Sequence, residues 1–489
     1  MSALILVLPV ILPIAGGALI LWLPFRSDRA RNLYAEILVC ATSAAAFYAM
    51  LACPGKTATL YTLSQGFSLA LRADGAASLF AGMVSLMWPL VMLYAFDYME
   101  HAQRKHVFFA FYVMTFGVTL GVAFSANLTT LYVFYEMLSL VTLPLVVHYG
   151  NHESMYAGRV YAVFTIGGAS LTFFAVIVAT IYGNAGSFEF GGCMNLYVNH
   201  GLIRAAYLLA FLGFGTKAAV FPLYYWLPTA SVAPTPVTAL LHAVAVVNSG
   251  VFAVMRTTYY VFGTKLLLGS VVQKLCLALA VFTLLYASVM ALRERHFKRR
   301  LAFSTVANLS YMLFGIELMT AQGMVGGMSH MVFHGVIKIT LFLCAGAFMH
   351  RTGKNYIYEL NGIGRRMPVT FICYTLGALS LTGIPFFCGF ISKWKLLEAG
   401  AAAGTPLGTA GDCALIAAAF LCAMYTLTIS VRAFFPVQGH AGAPQKAASC
   451  EAGVLMLLPI LVFTAVNVVL GIAPGIILDF IGSIASGSI

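Results

Sequence analysis

The stretch SHMVFHGVIKITLFL (residues 329–343) carries His330, His334 and Lys338 at four-residue intervals in an otherwise apolar run. At 3.6 residues per turn they fall on one stripe of a helix, drifting about 40° per step and spanning about 12 Å. A row of titratable groups at that spacing suits proton transfer, each handing on to the next through water. Metal ligation by the histidine pair would need carboxylate or thiolate companions, which the neighbouring sequence lacks. Other ionisable residues have similar surroundings. Glu136 stands alone in TLYVFYEMLSLVTLPLV, and Lys217 precedes Pro222 in FGTKAAVFPLYYWLP. His242 follows two prolines in APTPVTALLHAVAVVNSGVF, and Lys393 follows Pro385 in LTGIPFFCGFISKWKLLEAG. A carboxylate in such a place either pairs with a cation or takes up a proton. Burial lowers a lysine pKa and a nearby carboxylate raises it, so Glu136 and Lys217 read as a switchable pair. Histidine is the side chain whose ordinary pKa lies nearest physiological pH. Lys298, in HFKRRLAFSTVANLSYM, reads either as a loop charge beside Arg299 and Arg300 or as the inner mouth of a path. Lys395 either snorkels to the surface or pairs with Glu398.

The elements that hold these groups are membrane helices. Hydrophobic residues make up 61% of the 489-residue chain and charged residues 9%. That is more apolar surface than a soluble domain buries, so the bilayer is the solvent. The apolar runs are continuous rather than alternating, which selects helices over a barrel. About 14 spans are expected, near 3–25, 33–53, 77–96, 107–125, 128–148, 159–182, 205–226, 236–262, 270–292, 299–318, 325–349, 367–398, 411–435 and 452–480. The N-terminus lacks a basic region and a cleavage site, and reads as the first span. Lys and Arg gather in alternate loops: Arg26, Arg29 and Arg31, Arg104 and Lys105, the 293–300 cluster, the 351–366 cluster and Lys446. Cytoplasmic loops carry such an excess, which puts both termini on the non-cytoplasmic side of the plasma membrane. Longer polar connections near 54–76, 183–204 and 436–451 are too short for a soluble domain.

Spans seven and twelve contain proline and should break near Pro222 and Pro385. Broken helices at corresponding places suggest an internal repeat with a site at mid-membrane. Their five-span offset implies two five-helix repeats of inverted topology. The expected division is 1–106 for the first three helices, 107–262 and 270–435 for the repeats, and 452–489 for the last helix. The net charge of +12 is read as topology rather than nucleic-acid binding. The ten cysteines are scattered without a CxxC pair, so no cofactor or metal is expected in this chain.

Several stretches together resemble the antiporter-like proton-translocating subunits of respiratory complex I, Mrp-type Na+/H+ antiporters and membrane-bound energy-converting hydrogenases. They are LRADGAASLFAGMVSLM, NLTTLYVFYEMLSL, GFGTKAAVFPLYYWLPTASVAPTPVTALLHA, KRRLAFSTVANLSYM, HMVFHGVIKITLFLCAG and GIPFFCGFISKW, within about residues 70–435. The resemblance implies an all-α polytopic fold of 14 core helices with inverted repeats. It also places Glu136, Lys217, His242, Lys338 and Lys393 at the family's relay positions, with His330 and His334 beside the central lysine. Two departures stand out. His296 replaces the acid of the family's common Asp-x-Lys-Arg, leaving Lys298 without that partner. Asn248 stands where some Mrp-type relatives carry lysine.

The expected function is a proton-translocating subunit, without a redox centre of its own, in a redox-driven hetero-oligomer. Its partners would be other antiporter-like and small membrane subunits and an iron–sulfur, hydrogenase or quinone-reductase module. The alternatives are either an Mrp-type Na+/H+ antiporter subunit or a quinone- or cofactor-binding membrane enzyme subunit.

Overall fold

The computed structural model describes residues 2–64, 67–195, 197, 199–436 and 449–489. Lys446 and most of the 436–451 connection lie outside the described residues. Apolar runs fold as helices, as backbone in hydrocarbon must. In chain order come α1 (Ser2–Trp22) and α2 (Asp28–Ala52), a hairpin of β1 (Thr57–Ser64) and β2 (Phe67–Arg72), then α3 (Gly75–Tyr98), α4 (Lys105–Ala123), α5 (Leu128–Val146), α6 (His152–Tyr182) and α7 (His200–Lys217). Next are the short α8 (Trp226–Thr229), α9 (Thr235–Ala243), α10 (Val246–Arg256) with a π-helical turn over Thr257–Phe262, and the short α11 (Thr264–Leu267). The chain continues as α12 (Val271–Arg293), α13 (Phe297–Glu317), α14 (Ala321–Thr352), α15 (Pro368–Thr382), α16 (Cys388–Ala403), α17 (Pro406–Phe434), α18 (Val454–Ile472) and α19 (Gly475–Ala485). Eleven helical segments among the described residues are long and apolar enough to cross a membrane, so the chain is a multi-pass membrane protein. Polar caps set the helix starts: the side chains of Ser27, Asp74, Asn127, Asn151, Ser270, Thr320 and Thr405 each accept from a backbone N–H in the first turn.

Several features depart from a row of plain spans. The connection near 54–76 pairs as an antiparallel hairpin, so the chain is not purely helical. TATLYTLS and FSLALR carry the two-residue alternation of strands, masked by reading the segment as polar. Span seven stops at Lys217, before Pro222, and resumes at α8. Span eight is broken between Ala243 and Val246 without a proline in the gap; Asn248 Nδ2 donates to the Ala243 carbonyl at 2.8 Å and satisfies it. The last span is divided at Ala473–Pro474 into α18 and α19. Span twelve breaks after Thr382, where Gly383 (φ 96°) and Phe386 (φ 74°) turn the chain before α16. The helix α14 is the buried axis of the molecule and packs against α9, α13, α15, α16, α18 and α19.

Candidate functional site

The sequence-derived groups lie mostly inside the bundle. Lys217, His242, His334 and Lys338 are fully buried, and His330, Lys298 and Lys393 nearly so. Glu136 is the exception. It is half-buried on the face of α5 that also exposes Met137 and Leu140, with Oε1 covered and without a protein partner. No ion pair within 4 Å joins it to Lys217 among the described residues. The Lys217 ammonium instead donates to the Tyr135 carbonyl and lies 3.5 Å from the centre of the Tyr135 ring, a cation–π contact. Lys217 is the last residue of α7, where helical carbonyls run out of partners. Trp226 Nε1 takes one of these, the Thr216 carbonyl, at 2.7 Å.

A helix break provides the seat for Lys393, a turn the seat for Lys298, and the body of α13 the seat for Lys338. Thr382 ends α15, leaving its last carbonyls free at the negative end of the helix dipole. Lys393 Nζ, carried by α16, donates to the Leu381 and Thr382 carbonyls at 2.6 and 3.2 Å. Lys298 Nζ donates to the Ala233 carbonyl at 2.8 Å, in the turn before Pro234. Lys338 Nζ donates to the Leu301 carbonyl at 3.0 Å and to Ser304 Oγ. All four amines therefore bond neutral oxygens of the protein rather than carboxylates.

The histidines stand between two of these lysines. His330 Nδ1 meets Ser392 Oγ at 2.8 Å and Nε2 meets Asn308 Oδ1 at 3.1 Å. Asn308 Nδ2 donates to the Ser304 carbonyl at 2.6 Å, so its Oδ1 is the acceptor and His330 must carry the proton on Nε2. Nδ1 is then the basic nitrogen and accepts from the Ser392 hydroxyl. The His334 ring lies 5.8 Å from the His330 ring, and neither of its nitrogens has a protein partner. Tyr311 links the far end: its ring is 5.4 Å from His330 and 4.9 Å from Lys393 Nζ. On the other side of Lys338, Phe342 contacts both Lys338 and His242, at 5.9 and 5.1 Å. The structure thus brings His242, Lys338, His334, His330 and Lys393 into one row, with α13 along its length. Lys217 lies at the end of α7, against which Gly250 of α10 packs.

Lys298 is not a free loop charge. It lines a partly open cavity of 410 Å³ with Tyr98, Glu153, Glu294, His296 and His350. Where the family acid is replaced by His296, carboxylates from α6 and from the α12–α13 turn share the cavity. His296 caps α13 by accepting from Arg299 N at 3.4 Å. Burial, aided by the Lys298 and Arg299 charges, pushes its imidazole down to about 4. Arg299 is exposed and pairs with Glu294 at 3.5 Å. Arg300, read from the sequence as another loop charge, is instead buried on the carbonyls of Glu294, Leu292 and Tyr425. Lys395 pairs with Glu398 at 2.8 Å on the surface.

Three buried charged residues escaped the sequence reading. Asp74 caps α3 and forms a two-pronged pair with the fully buried Arg256, at 2.5 and 2.9 Å. Glu317, the last residue of α13, is fully buried. An acid in LFGIELMT is the same signal that singled out Glu136; its place at a span end made it look like a boundary residue.

Residues 125–420 match the model of the family described as NADH:quinone oxidoreductase/Mrp antiporter, TM. The chain is 31% identical over 394 residues to a probable K(+)/H(+) antiporter subunit of Rhizobium meliloti, covering 78% of this chain and 38% of that protein. It is 33% identical over 355 residues to a Na(+)/H(+) antiporter subunit of Alkalihalophilus pseudofirmus, covering 68% of this chain and 42% of that one. The chain thus spans about half the length, or less, of these curated relatives. Its fold matches chains of the Mrp complex from Dietzia sp. DQ12-45-1b (TM-score 0.85, 21% identity, 99% and 97% of the two chains) and of an archaeal membrane-bound sulfane sulfur reductase (0.83, 22%, 99% and 97%). It also matches a chain of Thermus thermophilus respiratory complex I (0.81, 22%, 99% and 98%).

Proposed function

The chain belongs to the NADH:quinone oxidoreductase/Mrp antiporter family of membrane subunits, and we propose that it is an antiporter-like subunit moving protons through its buried lysine–histidine row. The observation that carries this reading is the seating of Lys298, Lys338 and Lys393 on carbonyl and hydroxyl oxygens, with histidines between the last two. An ammonium held by a carboxylate is locked in its charged form. One held by neutral dipoles can give up its proton when a neighbour's charge changes. Lys217 bonds the carbonyl of Tyr135, the residue before Glu136, and Glu136 is half-buried on the outward side of α5, where an adjoining subunit would bias the two. A proton would pass by His242 to Lys338, then by His334 and His330 to Lys393. The cavity at Lys298 would be the inlet on the cytoplasmic side, with both termini on the opposite side. The breaks after Lys217 and Thr382 belong, in this reading, to two inverted five-helix repeats, 107–262 and 270–435. The chain would work in a hetero-oligomer with other membrane subunits and a redox module. Replacing Lys217 or Lys338 by Ala should abolish proton uptake by membrane vesicles while the complex still assembles; unchanged uptake in both variants would sink the relay.

A second reading, cation/proton antiport driven by ion gradients, is favoured by the names of the curated relatives. Na+- or K+-dependent proton movement in vesicles given no redox substrate would select it.

A further inference from the structure

Glu317 is the one carboxylate among the described residues that is fully buried yet belongs to no ion pair. The Tyr207 hydroxyl, from α7, is hydrogen-bonded to its Oε1 at 2.8 Å; Oε2 is buried and has no partner. Tyr207 also shares a hydrogen bond of 2.9 Å with Thr258 Oγ1 in the π-helical turn. Gln273 of α12 donates to the Glu317 backbone carbonyl at 3.0 Å, and Tyr259 donates to the carbonyls of Ile316 and Thr320, both at 3.1 Å. The end of α13 is therefore closed by side chains from three elements, and Glu317 is held firmly inside that closure. The titratable groups that the closure brings to it are Tyr207 on α7, bonded to its carboxylate, and Tyr259 on the π turn, bonded to the carbonyls of Ile316 and Thr320. Neither of them is a cation.

We propose that Glu317, held by the Tyr207 hydroxyl, is a proton-binding site. An isolated ionised carboxylate in such surroundings is far too costly to keep, and the group takes a neutralising ion instead. Two ions are candidates, and the geometry selects the proton. A hard cation needs several oxygen ligands. Here the Tyr207 hydroxyl is already bonded to Oε1, Thr258 Oγ1 donates to the Val254 carbonyl at 2.7 Å, and no oxygen of the protein is bonded to Oε2. The two hydroxyl protons of Tyr207 and Thr258 cannot serve all three contacts in the chain Glu317–Tyr207–Thr258–Val254. A third proton on the carboxyl completes it, Glu317 donating to Tyr207, Tyr207 to Thr258 and Thr258 to the Val254 carbonyl. The site lies 19 residues along α13 from Lys298, about 28 Å at the helical rise. It is next to the α13–α14 turn, where Ala321 and Gln322 are exposed. It is thus a protonatable group at the end of α13 opposite the Lys298 cavity. Its use in transport rests on the relay reading; its occupancy by a proton does not.

The test uses the assembled complex in membrane vesicles. Dicyclohexylcarbodiimide attacks protonated carboxyls in apolar surroundings, and its adducts are mapped by peptide mass spectrometry. An adduct on Glu317 that Na+ does not suppress is the expected result. Suppression by Na+ would make this a cation site and overturn the proposal. So would a lack of adduct on Glu317 in vesicles where another buried carboxyl is labelled. Both outcomes are read on the unaltered protein, so a folding defect in a variant cannot obscure them. For the part in transport, Glu317→Gln keeps the shape and a hydrogen-bond partner for Tyr207. It should slow proton uptake by about tenfold or more, with Glu317→Asp recovering part of it. Unchanged uptake in an assembled Glu317→Gln complex would remove the site from the route while leaving the Lys217 and Lys338 results untouched.

Discussion

At the scale of single residues, the oxygen that receives each ammonium matters more than the ammonium itself. The residue types were legible in the sequence, because an ionisable group in an apolar run is expensive wherever it occurs. Their partners were not. Lys393 bonds carbonyls that exist as free acceptors only because α15 ends at Thr382. The Lys298 partner, Ala233, is 65 residues away. The distance between Glu136 and Lys217 depends on how α5 and α7 rotate, which hydropathy does not encode. His296 offers a residue-scale prediction. Folding favours its neutral form, holding it at about 4 against an ordinary value of about 6.5. The unfolded chain then binds that proton first as pH falls, so this contribution to stability is present above about pH 6.5 and is lost towards pH 4. The protection of amides across residues 294–300, taken relative to their intrinsic exchange rate at each pH, should fall through that window. His296→Asn keeps a helix-capping acceptor and should flatten the response.

At the scale of elements, the helix positions followed the apolar runs closely, and both breaks near proline lay where the sequence put them. The break in span eight was not legible. It contains no proline or glycine, and the chain opens there because the Asn248 amide compensates the Ala243 carbonyl. The hairpin was missed for the opposite reason: its alternation is plain, but Thr and Ser made it look like a loop. Close helix approach yields a second prediction. A Cβ on Gly250 would meet the Ala218 nitrogen at 2.5 Å and the Lys217 carbonyl carbon at 2.8 Å. Both are backbone atoms that cannot swing away. Gly250→Ala should destabilise the protein by about 1–3 kcal/mol and impair proton uptake by moving the end of α7. Gly167→Ala, in open space on α6, should be neutral or slightly stabilising. Thermal unfolding in detergent and vesicle uptake would check both; equal effects from the two would refute the steric argument.

At the scale of the whole molecule, Asp74 and Arg256 fasten the start of α3 to the end of α10, 182 residues apart in sequence. Arg256 is also 4.5 Å from the Tyr260 ring centre and about equally close to the rings of Phe188 and Phe252, at 5.0 and 5.1 Å. Breaking one side of a buried pair strands the other charge. Asp74→Ala should therefore cost about 3–5 kcal/mol, and replacing both partners by apolar residues should recover much of the loss, as measured by denaturant unfolding in detergent. Asp74 lay just before one expected span, and Arg256 lay inside another, 236–262; their pairing across 182 residues is visible only in the folded chain. The seat of Lys393 has one more consequence. The amine travels with α16 while its acceptors travel with α15, the two rods being joined by the Gly383–Phe387 turn and by Ser380, which accepts from the Gly389 nitrogen at 3.3 Å. Sliding one rod past the other by a single residue's rise, about 1.5 Å, is enough to pull the shorter bond beyond contact. In the relay reading, displacement of either helix would change how firmly Lys393 holds its proton, and a change in that proton would push back on the helices.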